Sequence, residues 1–591
     1  MAAPIVRAIR LLDRAERWRW VALVPLAVFV AGVEMVGAGA VFVLVRAIAD
    51  PAYRLPPMLR WIASGRSARE TVVALGAFVV LFYIARTIVL VSVEYMQERV
   101  VQRSSARIAI GLLRRYLAAP YAFHFRHRSS SLIQNIYEGA ETVVERVLAA
   151  IVHIASEVLV VVGLLVMLAI AAPVPTLVAI LIVVVLLAGT LSITRRLYAR
   201  WGREEQELGE RLLARLHQSL DAVKDILVTG RASQFAAWFE RDRLELMRLK
   251  ARRGGAGTAV RLAVETVFVC GMVVAVILLA TSGRSGGDAV SVLSLFAYAG
   301  FRIVPSANRI ILNVNLVRYG LSFAHVLDED WRSLPPAEAE PVTPWPRLAR
   351  DIVVDDVSYE YGDGRGHALR HVRLRVERGA SVGIVGATGA GKSTLVDVVL
   401  GLLPPAAGRV LADGCDIATN VRGWQMQIGY VAQHVSLIDD SLRRNIAFGF
   451  DADEIDEARV ARAASEARLD DLIAALPEGL DARVGERGVR LSGGERQRIA
   501  IARALYRDPA VLLFDEATSA LDQATEREIV RAIDELRGER TVIVIAHRMS
   551  TVRGCDRIVV LDAGCVVAEG RFDELRLQSD LFRSLSAGSA P

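Results

Sequence analysis

The chain has 591 residues, 53% hydrophobic and 23% charged, with a mean hydropathy of +0.36; this excludes a disordered or collagen-like protein and points to a membrane-embedded part. Four cysteines (Cys270, Cys415, Cys555 and Cys565) are too few for a disulfide scaffold and match no zinc-binding spacing. The 71 basic residues exceed the 65 acidic ones by six, a surplus that basic cytoplasmic loops of a membrane protein explain without any nucleic-acid partner.

The apolar content lies in the first 330 residues. Six stretches, at 20–46, 70–94, 150–171, 174–195, 258–282 and 288–312, each approach the roughly 20 residues needed to cross a bilayer. Arg7, Arg10, Arg14, Arg17 and Arg19 precede the first of them, which places the N-terminus in the cytoplasm. That first stretch is about twice a signal-peptide core and further spans follow, so it reads as an uncleaved helix. Tight turns at 172–173 and 283–287 fall on the outer side. The longer connections 95–149 and 196–257 are polar, Arg-rich and helical in pattern. They predict membrane helices that extend into the cytoplasm and reverse near Ser129–Ile136 and Thr229–Phe235. The outer segment 47–69 mixes Met58, Leu59, Trp61 and Ile62 with Arg54, Arg60 and Arg66. It reads equally as an amphipathic surface helix, able to touch a lipid tail, or as an ordinary loop.

A proline-rich linker follows at 334–350, dividing a membrane domain (1–333) from a second domain (351–591). There, short β-rich runs such as Ser381–Val385, Ala510–Phe514 and Thr541–Ile545 alternate with helical ones, the pattern of a parallel α/β domain. Gly386, Gly391, Lys392 and Ser393 fit G-x-x-x-x-G-K-[ST] between a strand and a helix, the context of a phosphate-binding loop. Backbone N–H groups would wrap the phosphates, Lys392 would reach the β- and γ-phosphates, and Ser393 would bind Mg²⁺. Only three basic residues are lysine (Lys224, Lys250 and Lys392), so a lysine retained in this loop answers a need for a compact point charge. The run Val511–Glu516 ends in two carboxylates, Asp515 suited to the Mg²⁺ shell and Glu516 to activating water. Leu491–Arg498 places Ser492, Gly493 and Gly494 at the start of a helix, either a simple cap or a second anion site.

Taken together, these motifs resemble the ATP-binding cassette (ABC) transporters, with Leu491–Arg498 matching their signature. The resemblance implies that Gly386, Thr388, Gly389, Ala390, Gly391, Lys392, Ser393 and Thr394 hold ATP and that Glu516 is the catalytic base. It further assigns Gln433 to Mg²⁺ and nucleotide sensing, Asp522 to the D-loop, His547 to the switch and Tyr361 to adenine stacking. Val484–Gly488 resembles the segment that precedes the signature in exporters. Ala432 stands where the family often has proline, a minor departure. One set of six spans with one cassette resembles a half-transporter of the type IV exporter class, which implies a homodimer with two ATP sites and helix tips docked on the cassettes.

Charges inside the spans bear on the cargo. Arg86, Arg261, Arg302 and Arg309 lie in apolar stretches, as do Glu34, Glu94 and Glu265. Four lipid-facing arginines would cost roughly 10–14 kcal/mol, so they should face a wet cavity or a partner. Arg302 and Arg309 fall on one helix face about 10 Å apart, with Pro305 between them. Arg261 and Glu265 have the spacing of an i,i+4 pair. A basic cavity suits an anionic headgroup. Phe301–Ile310 and Phe123–Ile136 also resemble the lipid-linked oligosaccharide flippases. That resemblance implies a polyprenyl-pyrophosphate glycan moved across a bacterial inner membrane. The alternatives are a broad exporter of lipids or hydrophobic drugs and an ATP-gated channel or regulator; intact Glu516 and Leu491–Gly494 favour turnover over gating.

Overall fold

The computed structural model describes residues 2–49, 53–171, 173–281, 286–336, 343–361, 366–485, 488–489, 491–516, 523–546 and 548–587. The chain forms two units. One comprises Met1–Ala119 and Phe123–Ala337, the other Pro120–Ala122 and Glu338–Pro591.

The first unit is helical. Its helices are α1 (Ala2–Arg10), α2 (Arg14–Ala49), α3 (Arg60–Ala63), α4 (Ala68–Ala118), α5 (Tyr121–Arg126, counted here from Phe123), α6 (Ser129–Gln134) and α7 (Ala140–Val143). They continue with α8 (Ala150–Ala171), α9 (Pro173–Asp221), α10 (Val223–Val228), α11 (Ala232–Thr281) and α12 (Gly286–Ser333). A capping box starts α4: Glu70 N donates to Ser67 Oγ (3.4 Å) and Ser67 N to Glu70 Oε2 (2.8 Å), satisfying two orphan donors. Val80, Leu81, Ile84, Ile88 and Val91 of α4 stay exposed, as lipid-facing side chains must. Among the described residues four spans are long and apolar enough to cross a bilayer: Arg14–Ile48, Ala68–Ala118, Ser129–Ile170 and Gly300–Ser333. The expected stretch 174–195 falls within the unbroken helix α9, and 258–281 of the stretch 258–282 within α11.

The first helix reversal differs from expectation, while the second turns at Gly230, inside the expected Thr229–Phe235. The first comes at Ala119–Arg128, so Ser129–Ile136 already belongs to the returning helix. The second is built around α10 and Gly230, whose φ of 65° only glycine adopts without strain. Two π-helical turns, Asn135–Gly139 and Val144–Ala149, join α6, α7 and α8. Between α2 and α4, buried Glu16 accepts from Ser104 Oγ at 2.8 Å and pairs with Arg107 at 2.8 Å. Pro305 does not break α12, which runs through it. The outer segment is helical in part, a 3₁₀ turn at Pro57–Leu59 leading into α3.

The second unit holds two sheets. β1 (Asp351–Glu360), β2 (His367–Glu377), β4 (Ala407–Ala412) and β5 (Cys415–Asp416) form an antiparallel sheet in the order β2-β1-β4-β5; β3 is Ser381–Gly386. β6 (Ile428–Val431), β7 (Val511–Asp515), β8 (Thr541–Ile545), β9 (Arg557–Asp562) and β10 (Cys565–Gly570) join β3 in the order β10-β9-β3-β8-β7-β6. All neighbours in that sheet are parallel except β10 and β9. Every residue of β3 and β8 is buried, as expected of a sheet covered on both faces. Trp345 and Leu348, expected in the linker, belong to this unit's core, and Ala349 N and Arg350 N donate to the Asp413 carboxylate at 2.7 and 2.6 Å.

Candidate functional site

In a parallel sheet, ligands bind beyond the carboxyl ends of the strands. Here the neighbours β3, β8, β7 and β6 end, in spatial order, at the phosphate loop, at Ala546, at Asp515 with Glu516, and two residues before Gln433. The alignment follows from register: β3 pairs Ile384 with Ile545, and β7 pairs Asp515 with Ile545. Four distant sequence segments therefore meet along one edge.

The loop wraps tightly before the helix Lys392–Val399. Gly391 adopts φ 99°, and a β-carbon there would stand 2.5 Å from the Ala368 carbonyl oxygen. At Gly386 a β-carbon would stand 2.3 Å from the Leu561 oxygen, so neither position admits a side chain. Lys392 is 5% exposed, and its Nζ donates to the carbonyls of Gly386 (2.9 Å) and Ala387 (3.0 Å), which centres the ammonium over the loop. Burial lowers its pKa, and the charges of Glu516 and Asp515 partly oppose that shift. Ala390 is buried, while Thr388, Gly389 and Ser393 lie exposed on the rim.

Gln433 Nε2 donates to Glu516 Oε2 at 2.7 Å, joining the ends of β6 and β7. Glu516 has φ 48°, a costly conformation for a residue with a β-carbon and typical of functional turns. Tyr430 Oη donates to Asp515 Oδ2 at 3.4 Å. Ser393, Gln433 and Asp515 supply hydroxyl, amide and carboxylate oxygens, a hard donor set that suits Mg²⁺ held partly by phosphates. Tyr361 Oη and Thr394 Oγ1 lie 3.0 Å apart, so the tyrosine stands beside the first turn of the loop's helix.

At the signature, Ser492 caps the helix Gly493–Leu505 through a full capping box with Glu495. Ser492 Oγ accepts from Glu495 N at 3.3 Å, and Ser492 N donates to Glu495 Oε2 at 2.6 Å. Ser492 is exposed and Gly494 buried, so the helix N-terminus presents its positive end outward. Asp522 and His547 lie outside the described residues, as do Glu486 and Arg487 of the pre-signature segment.

Sequence reasoning missed Asp397, one turn into the loop's helix. Burial first, and the charge of Asp515 second, raise its pKa to about 6. Its folded-state pKa is raised, so the stability present below the unfolded value near 4 is lost as pH rises through about 6. Asp397→Asn should therefore raise the melting temperature of the cassette's own transition by about 2–4 °C at pH 7.5, on roughly 1 kcal/mol after discounting for partial exposure. At pH 4 the gain should vanish. An equal shift at both pH values would refute the assignment.

The four membrane arginines do not form one cluster. Arg86 Nη2 and Arg302 Nη2 both donate to Oε1 of Glu34, each at 2.5 Å, and Glu34 is 5% exposed. Arg309 instead pairs with Glu157 at 2.5 Å. Arg261 lies 4.0 Å from Glu265 on an exposed face, the i,i+4 pair that the spacing allows. Thus Arg302 and Arg309 leave α12 for different partners, one on α2 and one on α8. Glu157 stands inside the apolar stretch 150–171, a charge that the sequence alone does not tie to Arg309. Arg302 Nε, Ser306 Oγ and Glu157 Oε2 are buried without a hydrogen-bond partner.

A membrane helical domain followed by a phosphate-loop cassette with its carboxylates and signature defines an ATP-hydrolysing membrane transporter. Residues 369–519 match the family model of the ABC transporter, and residues 39–302 that of the ABC transporter transmembrane region. The chain is 35% identical to the ATP-dependent lipid A-core flippase of Cupriavidus metallidurans, covering 80% of this chain and 79% of that one. It is 33% identical to the same-named protein of Cupriavidus pinatubonensis, covering 83% of each. A solved bacterial Atm1-family ABC exporter with ATP bound superposes with a TM-score of 0.82 at 26% identity, over 97% of this chain and 99% of that one. The chain belongs to the ABC transporter family, with an exporter fold and an ATPase coupled to transport. It is a membrane protein with a cytoplasmic cassette.

Proposed function

We propose that two copies of this chain form a Mg²⁺-ATP-driven flippase that moves an anionic, sugar-bearing lipid from the inner to the outer leaflet of a bacterial inner membrane. The observation that carries this reading is the pair of guanidiniums on Glu34. Two cations share one carboxylate, which leaves one net positive charge at this site. The unpartnered Arg302 Nε and Ser306 Oγ lie one helical turn apart beside it. An uncharged drug would leave that charge unanswered; a phosphate would pair with it.

In the cassette, Lys392 and the loop N–H groups would hold the ATP phosphates, with Mg²⁺ on Ser393, Gln433 and Asp515. Glu516, oriented by Gln433, accepts a proton from the attacking water. Ser492–Gly494 of one copy would close on the γ-phosphate held by the other, which makes dimer closure depend on ATP. Tyr361, Asp522 and His547 keep the roles that the family resemblance implies.

Two lipids fit. The stretches Phe123–Ile136 and Phe301–Ile310 speak for a polyprenyl-pyrophosphate oligosaccharide; the relatives named as lipid A-core flippases speak for that glycolipid. The deciding experiment presents each labelled lipid in proteoliposomes and follows outward movement with ATP, beside Glu516→Gln. ATP-dependent movement of either, lost in the variant, supports the reading and names the cargo. Movement of neither, with ATPase stimulated by uncharged amphiphiles, would replace it with a broad exporter.

A further inference from the structure

We propose that the outer segment between α2 and α4 is a second lipid site, one that binds the phosphorylated headgroup of an anionic lipid in the leaflet opposite the cassette. It does not depend on which lipid is carried. A pocket of about 430 Å³ lies here, lined by Arg54, Arg60 and Arg66 together with Tyr53, Leu55 and Thr71. Its described lining contains no carboxylate.

Three observations select an anionic lipid. First, the charge runs against topology. Counting spans from a cytoplasmic N-terminus puts residues 47–69 outside, where short loops are normally poor in arginine. Yet Arg46–Glu70 holds five arginines against two acids, Asp50 and Glu70. Glu70 is occupied at the α4 cap, and Asp50 lies outside the described residues.

Second, the guanidiniums keep most of their donors. Arg66 spends Nη1 on the Ile62 carbonyl at 2.6 Å, and Arg60 spends Nε on the Leu55 carbonyl at 3.4 Å. Each guanidinium carries five N–H groups, so both retain a fork for phosphate oxygens. Arg54 is exposed and makes no ion pair among the described residues.

Third, the pocket has its own membrane anchor. Met58 and Trp61 are 88% and 64% exposed, while Ile62 between the arginines is buried at 2%. An exposed Met–Trp edge on a short helix seats it at the bilayer interface, which brings the pocket to headgroup depth. A free anion would need no such anchor.

The test uses the full-length protein in neutral detergent and native mass spectrometry. Phosphatidylglycerol and phosphatidylcholine are titrated against the wild type and against Arg54→Gln/Arg60→Gln/Arg66→Gln. The inner arginines stay intact, so the difference between the two proteins reports this pocket alone. The expected result is at least a five-fold weaker first binding of phosphatidylglycerol in the variant, with phosphatidylcholine unchanged and an unaltered melting temperature. Equal phosphatidylglycerol binding by both proteins would overturn the proposal. So would complete displacement by millimolar inorganic phosphate, which would mark a free-anion site instead.

Discussion

Replacing Glu516 by glutamine should lower ATP turnover about 100- to 10,000-fold while leaving ATP affinity within a few-fold of wild type. Glutamine preserves the side-chain length and keeps an oxygen for the Gln433 Nε2 donor now 2.7 Å from Glu516. It demands the same strained backbone, φ 48°, so the turn is unchanged. What is lost is the group that takes the proton from water. Lys392→Ala should behave in the opposite way. It removes the buried ammonium that centres the loop, so it should lose ATP binding itself. Steady-state ATPase beside nucleotide titration separates the two. Turnover above about a tenth of wild type in Glu516→Gln would reassign the base.

The second large effect is expected at Glu34, and its sign follows from counting charges. Arg86→Gln or Arg302→Gln leaves one arginine on one carboxylate. Either variant should stay folded, yet lose transport at least ten-fold, because the surplus positive charge is gone. The double variant strands a carboxylate that is 5% exposed, and breaking a buried pair in that way costs about 3–5 kcal/mol. It should therefore lose stability as well as transport. Glu34→Gln frees both guanidiniums, so it should destabilise the helices while raising affinity for an anionic lipid. Melting curves, lipid binding and flipping on the four proteins check the pattern. Full transport by both single arginine variants would sink the role of the pair. Arg261→Gln is the control: on its exposed helix face it should change none of the three readouts.

Legibility differed sharply between the two halves. In the cassette, the phosphate loop, the paired carboxylates and the signature were readable residue by residue, because phosphate chemistry tolerates few substitutes. Gly391 and Gly386 have no room for a β-carbon, and Lys392 supplies a compact charge in a chain built on arginine. Asp397 was not readable. Its raised pKa comes from burial and from Asp515, more than a hundred residues away in the chain. The first helix reversal lies at 119–128, ahead of the expected Ser129–Ile136. Local pattern cannot distinguish a helix that continues from one that stops at Ala118 and resumes in short pieces at Tyr121 and Ser129, since both sides are equally helical in composition.

By itself the sequence determined which residues can do chemistry, how many apolar stretches there are, and the order of domains, because spacing and hydrophobic length are one-dimensional quantities. Partnership was decided only in the tertiary structure. Four intramembrane arginines look alike in sequence. Packing put Arg86 and Arg302 on a single carboxylate, gave Arg309 its own partner in Glu157, and left Arg261 on an exposed face beside Glu265. The physical reason is that a buried charge is governed by whatever lies within a few ångströms of it. Glu34 is 52 residues from Arg86 and 268 from Arg302, distances that only the packing of α2 against its neighbours removes.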